Sequence, residues 1–181
     1  AMLVVSAYHT DIDGQIFRLR TPLCKRNVDG EINGIEASGN VDIGAGVSLI
    51  GSVAWQEGSQ DAYYGENFAF PGDERPLSRL LPLTGQLGVR WRPERARYWA
   101  EFSVEAAARQ DKLADADKTD SRFPPGGTPG WTVFHVRAGW EVTDTLTLTL
   151  AVENLADREY RVHGSGVNEP AKKRVVKFLN E

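Results

Sequence analysis

Three histidines, a single cysteine and several groups of carboxylates are the side chains through which this chain could do chemistry. His9, His135 and His163 fall on three different predicted elements, and no pair has the spacing of metal ligands. Asp111, Asp115, Asp117 and Asp120 crowd one segment, and Asp11-Ile12-Asp13-Gly14 makes a second acidic turn. Carboxylates so spaced suit Ca²⁺, but the register lacks the Gly and terminal Glu of an EF-hand, and a solvated acidic loop is the simpler reading. Glu101 and Glu105 share a strand face about 13 Å apart, too far for a glycosidase pair. Gly44-Ala45-Gly46 has the wrong spacing to Gly51 for a dinucleotide loop, and no helix follows it. The lone Cys24 excludes an internal disulfide framework and reads as a free thiol in a loop. With no GxSxG elbow, HExxH pair or P-loop, the expectation is no enzyme, no cofactor and no tightly held metal.

What must position these groups follows from composition and period. The 181 residues carry 21 Lys+Arg against 25 Asp+Glu, a net charge of −4, which speaks against nucleic acid as a partner. Hydrophobic residues at 41% are too many for a disordered chain. No stretch is long and apolar enough for a membrane-spanning helix, but that leaves membrane β-barrels open, because their alternating strands average out polar. The opening AMLVVSAYHT shows no basic segment, long apolar run or small-residue cleavage site of a signal peptide. The expectation is therefore either a cytoplasmic protein or a downstream portion of a longer chain.

The dominant period is two. Leu146, Leu148, Leu150 and Val152 alternate with Thr145, Thr147, Thr149 and Ala151. Over 131–141, Phe134, Val136, Ala138 and Trp140 face away from Val133, His135, Arg137, Gly139 and Glu141. Similar alternation predicts strands over 97–107, 84–92, 45–55 and 31–43, with a first strand near 2–12 and a short last one near 173–179. Residues 104–115 also admit a helical turn or two, with strand continuation the better fit. The predicted architecture is all-β, an antiparallel up-and-down barrel segment of about eight strands. Short turns join them on one side; long Gly-, Pro- and Asp-rich connections at 13–30, 56–82, 108–130 and 155–172 join them on the other. Loops of that size are unusual in a compact soluble sandwich and ordinary on the extracellular side of an outer-membrane barrel.

The two faces differ in kind. One is aliphatic, with Trp55, Trp91, Tyr98, Trp131 and Trp140 near strand ends; the other carries Arg90, Glu101, Glu105, His135, Arg137 and Glu153 at mid-strand. Aromatic strand ends beside long one-sided loops favour lipid outside and a polar lumen inside, with those six residues facing the lumen. The competing reading makes them the solvated outer face of a soluble β-protein.

Several motifs in order resemble the TonB-dependent outer-membrane receptors. Asn27-Val28-Asp29-Gly30-Glu31-Ile32-Asn33-Gly34-Ile35-Glu36 looks like a strand motif from the last third of their barrel. Pro76-Leu77-Ser78-Arg79-Leu80-Leu81-Pro82 resembles the loop before the next strand. Phe123-Pro124-Pro125-Gly126-Gly127-Thr128-Pro129-Gly130 resembles the run before their penultimate hairpin. The most specific stretch is Val152-Glu153-Asn154-Leu155-Ala156-Asp157-Arg158-Glu159-Tyr160, continuing through Arg161–Pro170, which resembles their near-terminal strand and last extracellular loop. The resemblance spans about residues 27–170. The family's terminal strand ends on an aromatic residue, whereas this chain closes Lys177-Phe178-Leu179-Asn180-Glu181.

The resemblance implies that residues 1–181 form one barrel segment, the C-terminal part of such a receptor, with no plug domain and about eight of some 22 strands. The parent would take up scarce nutrients, iron-siderophore complexes or cobalamin, across the cell outer membrane. Its partners would be outer-membrane lipid, the remaining barrel and plug, and TonB through the missing N-terminal part. The segment would supply wall and loops and would not transport alone. The alternative is a stand-alone small eight-stranded barrel or a soluble ligand-binding β-protein. Pairing of residues 3–12 with 173–179 would then be needed for closure, and only a partial seam is expected there.

Overall fold

The computed structural model describes residues 1–20, 23–61, 74–118, 120–165 and 174–180. Its strands are β1 (Met2–Arg20), β2 (Leu23–Gly44), β3 (Val47–Asp61), β4 (Glu74–Pro76), β5 (Thr84–Trp91), β6 (Tyr98–Ala107), β7 (Trp131–Glu141), β8 (Thr147–Glu153) and β9 (Arg174–Asn180). Eight of them form one antiparallel sheet in sequence order, and the short β4 pairs with the end of β3. A single helical turn, α1 (Asp115–Lys118), lies in the connection after β6. The predicted all-β, up-and-down segment is therefore what the chain forms.

The turns after β2, β5 and β7 are tight and lie on one side. Between β2 and β3 the chain reverses through Gly44, Ala45 and Gly46, whose φ values are 98°, 51° and 75°. A side chain on Gly46 would run into the Arg92 carbonyl, so only glycine fits. After β5 the Ala96 amide donates to the Pro93 carbonyl at 3.1 Å. After β7 the Val142 amide reaches the Leu146 carbonyl at 2.9 Å, and Thr143 Oγ1 accepts the Leu146 amide at 3.0 Å. The long connections lie at the other ends of the strands.

Four expectations need correction. The stretch 13–30 is not a loop: β1 and β2 pair continuously from Met2–Asn40 to Arg20–Leu23, with one register shift between Ile12 and Gln15. Most of the stretch is thus ladder, and only residues 21–22 lie between the two strands. Cys24 is accordingly in β2, opposite Leu19. β3 likewise continues to Asp61, past the predicted end at 55. Trp131 belongs to the polar face, where its ring packs on Tyr160 at 4.4 Å. Finally, among the described residues nothing pairs β1 with β9; they are the two edges of an open sheet, with no partial seam.

The registers sort the faces. Val53, Trp55, Leu87, Val89, Trp91, Tyr98, Phe102, Phe134, Trp140, Leu148 and Leu150 share one face and are all exposed. From Val47 to Trp55 the chain advances about 26 Å. Trp91, Tyr98 and Trp140 stand at the short-turn end of this band and Trp55 at the far end, matching the height and aromatic girdles of an outer-membrane wall. Trp91 and Tyr98 meet edge-on at 6.0 Å, and Phe102 stacks on Phe134 at 5.9 Å.

Candidate functional site

The polar face is built by cross-strand pairing. Arg90 lies opposite Glu101, and Glu101 opposite Arg137, so charges of alternating sign run across β5, β6 and β7. Arg90 Nη2 is 2.6 Å from Glu101 Oε2, and its Nε donates to the same oxygen at 2.8 Å. The same guanidinium sits 5.1 Å over the Trp99 ring. Glu101 is only 6% exposed, so the pair is largely withdrawn from water and removing Arg90 would leave a buried carboxylate without its partner. Arg137 Nη2 lies 3.8 Å from Glu153 Oε1 on β8.

His135 is buried, with Nε2 3.5 Å from Glu105 Oε2. Its Nδ1 accepts the Asn154 amide at 3.3 Å, which assigns the ring proton to Nε2, the nitrogen facing the carboxylate. All six residues singled out from the sequence thus share one face, opposite the apolar band, as two ion pairs and one histidine–carboxylate contact. Sequence reasoning missed the aromatic members. Trp99 covers Gly139 across the β6–β7 ladder, and Tyr8 covers Gly34 across β1–β2, each ring occupying the space a side chain would need. Tyr8 Oη also donates to Gln56 Oε1 at 3.3 Å. Toward β1 the polar face opens into a cavity of about 480 Å³ lined by Ser6, Glu36, Ser38, Ser52, Gln86 and Glu105 among others.

The long connections pack together above this face. Leu77, Leu113, Ala114 and Phe123 are buried among them. Gln110 and Thr128 exchange backbone hydrogen bonds of 3.0 and 2.9 Å, and Gln110 Nε2 donates to the Leu80 carbonyl at 2.8 Å. Asp117, expected in a solvated acidic loop, is instead buried: it accepts from Ser78 Oγ at 2.7 Å and from the Arg79 amide at 3.1 Å. Arg122 holds the Asp120 carboxyl well below the usual carboxylate range. These two aspartates tie connections to one another rather than facing a shared ion. His163 closes the cluster, with Nδ1 2.9 Å from Thr128 Oγ1 and its ring 4.9 Å from Phe123; burial pushes its imidazole down. Asn154, at φ 53°, clamps the start of the last connection, donating from Nδ2 to the Arg158 carbonyl at 2.7 Å and accepting its amide at 3.0 Å. Burial, then Glu105 and Glu153, push the Tyr160 phenol up, so it stays neutral over the carboxylates.

The face and its cap offer fixed charges and neutral hydrogen-bonding groups. Residues 1–155 match the profile of a family described as TonB dependent receptor-like, beta-barrel. No curated protein matches the sequence. Among solved structures, the chain superposes on "Copper transporter OprC" with a TM-score of 0.74 at 22% identity, covering 96% of this chain and 27% of that one. It also superposes on "The FrpB iron transporter from Neisseria meningitidis (F3-3 variant)" with a TM-score of 0.68 at 16% identity, covering 98% of this chain and 27% of that one. At these identities the likeness is one of fold, and the chain spans only 27% of either transporter's length.

Proposed function

The chain belongs to the TonB-dependent receptor β-barrel family, and from that premise we propose that residues 1–181 form one wall segment of an outer-membrane active transporter for a scarce nutrient. The observation that carries this is the separation of faces across eight strands. An exposed apolar band about 26 Å high, edged by Trp55 at one end and by Trp91, Tyr98 and Trp140 at the other, backs a face of paired charges. In this reading Arg90, Glu101, Glu105, His135, Arg137 and Glu153 face the lumen. There they keep it wet and offer partners to a plug carried outside this chain. The packed connections form part of the extracellular mouth.

The nutrient class is an iron chelate, cobalamin or a cargo of similar scarcity, with energy delivered through TonB to a plug. Barrel wall and loops bind and guide; they do no covalent chemistry, and this segment alone does not transport. Two experiments test the two halves. Spin labels at 148 and 150 should be quenched by oxygen in bilayers, and labels at 103 and 149 by a water-soluble nickel chelate; the reverse pattern refutes the wall. Disrupting the coding region should abolish high-affinity uptake of one such nutrient as completely as loss of TonB does. Unchanged uptake of every iron chelate and of cobalamin refutes the transport assignment.

A further inference from the structure

Beyond the Ile35–Trp55 rung, the outer surface of the β1–β2–β3 sheet changes from apolar to hydrophilic within one side-chain repeat. The next rung on that surface is His9, Asn33 and Glu57, and the one after is Asp11, Glu31 and Ser59. Two residues from β1 and two from β2, at positions i and i+2 on each strand, thus stand as a square. Donor atoms of His9, Asp11 and Glu31 lie within 4.8 Å of one another. His9 Nδ1 is 2.8 Å from Asn33 Oδ1, and His9 Nε2 is 3.0 Å from Asp11 Oδ1. The Asn33 amide is oriented by its Nδ2, which donates to Glu31 Oε1 at 3.4 Å and so turns Oδ1 toward the ring.

This arrangement asks for a cation. Both imidazole nitrogens face oxygen acceptors, but a neutral ring carries one N–H. One contact therefore sets two lone pairs against each other unless a positive species, a proton or a metal ion, lies there. Among the described residues, neither Asp11 nor Glu31 is ion-paired with a Lys or Arg; the nearby Lys112 is taken by Glu57. One imidazole with two carboxylates is a donor set for a borderline divalent ion rather than for Ca²⁺ or a soft monovalent ion.

We propose that His9, Asp11 and Glu31 form a binding site for a divalent transition-metal ion of the Zn²⁺ type on the outer surface of β1 and β2, with Asn33 accepting from His9 Nδ1 and so turning the Nε2 lone pair toward Asp11. Sequence spacing does not reveal it, because the ligands come from two strands and only the register brings them together. The one legible signal is His9 and Asp11 at i and i+2 of a strand, which share a face. The site stands on geometry separate from the polar face, and it holds or fails independently of what the transporter carries.

The test uses the 181-residue chain refolded in detergent, stripped with EDTA and titrated with Zn²⁺. One ion should bind per chain at neutral pH, and binding should weaken as pH falls and protons compete for His9. His9→Gln, Asp11→Asn and Glu31→Gln should each weaken binding at least tenfold, while Asp13→Asn, at the register shift of β1, should leave it unchanged. All three ligands are exposed, so these substitutions remove donors without disturbing a core. Cu²⁺ as a second probe should show one imidazole nitrogen in its electron paramagnetic resonance spectrum, lost in His9→Gln. Absence of stoichiometric Zn²⁺, or binding undiminished in His9→Gln, overturns the proposal.

Discussion

His163 is where pH enters the structure. The ring is 4% exposed, between Phe123 and Thr128, and burial holds its pKa below 6.5 against the opposing pull of Asp117. The neutral form is the one that fits the closed cap, so the cap is at full strength above about pH 6.5. As pH falls below that value the opened state takes up the proton first, and the loss is complete below the folded pKa. Limited proteolysis of residues 121–130 should therefore accelerate between pH 7.5 and 5, and His163→Gln should flatten that dependence. Asn154→Ala removes two buried hydrogen bonds and leaves alanine at a left-handed φ, a cost of about 2–4 kcal/mol. In urea titrations Asn154→Gly should recover the backbone part, about 1 kcal/mol. At this scale the charged residues of the polar face were legible, because strand parity fixes their face. Their aromatic neighbours were not: Trp99 over Gly139 and Trp131 against Tyr160 depend on registers and on a connection that period two does not encode.

Among the elements, β8 states its orientation most plainly. Leu148 and Leu150 are exposed on the apolar face, and Thr149 lies on the other. Leu148→Arg should destabilise the bilayer-inserted wall by about 2–4 kcal/mol if it sits near the midplane. Thr149→Arg, which puts its charge on the polar face, should cost less than about 1 kcal/mol in the same lipid unfolding titration; equal costs would contradict the facing. The strands over 31–43, 84–92, 97–107 and 131–141 could be read from alternation because each has one apolar face. Residues 13–30 could not, because what makes Gln15–Arg20 and Leu23–Val28 a ladder is the pairing of the two strands with each other, which their Gly-, Asp- and Asn-containing sequence does not announce.

For the whole molecule the controlling fact is the pair of free edges. Among the described residues β1 is bonded to β2 alone and β9 to β8 alone, so alternate N–H and C=O groups of both face outward from the sheet. In hydrocarbon each such group costs several kcal/mol, and in water an open edge beside an apolar face seeks another strand. The isolated chain should sediment in detergent as a mixture of associated species. A monodisperse monomer whose Met2–Thr10 amides all resist hydrogen exchange would show that the edges have found each other.

The unequal lengths of the strands carry a mechanical consequence. β2 pairs with β3 only as far as Gly30–Gln60, whereas its ladder with β1 continues through Gln15–Val28 to Arg20–Leu23. The change from three strands to two coincides with the register shift at Ile12–Gln15 and with Gly14, whose φ is 65° and whose amide donates to Asp29 Oδ1 at 2.7 Å. A two-stranded ribbon is marginal by itself, so amide protection should step down across that joint rather than decline smoothly. Gly14→Pro can neither adopt a φ of 65° nor supply the amide that Asp29 accepts, so it should loosen the joint and lower amide protection beyond it, while leaving the three-stranded part unchanged.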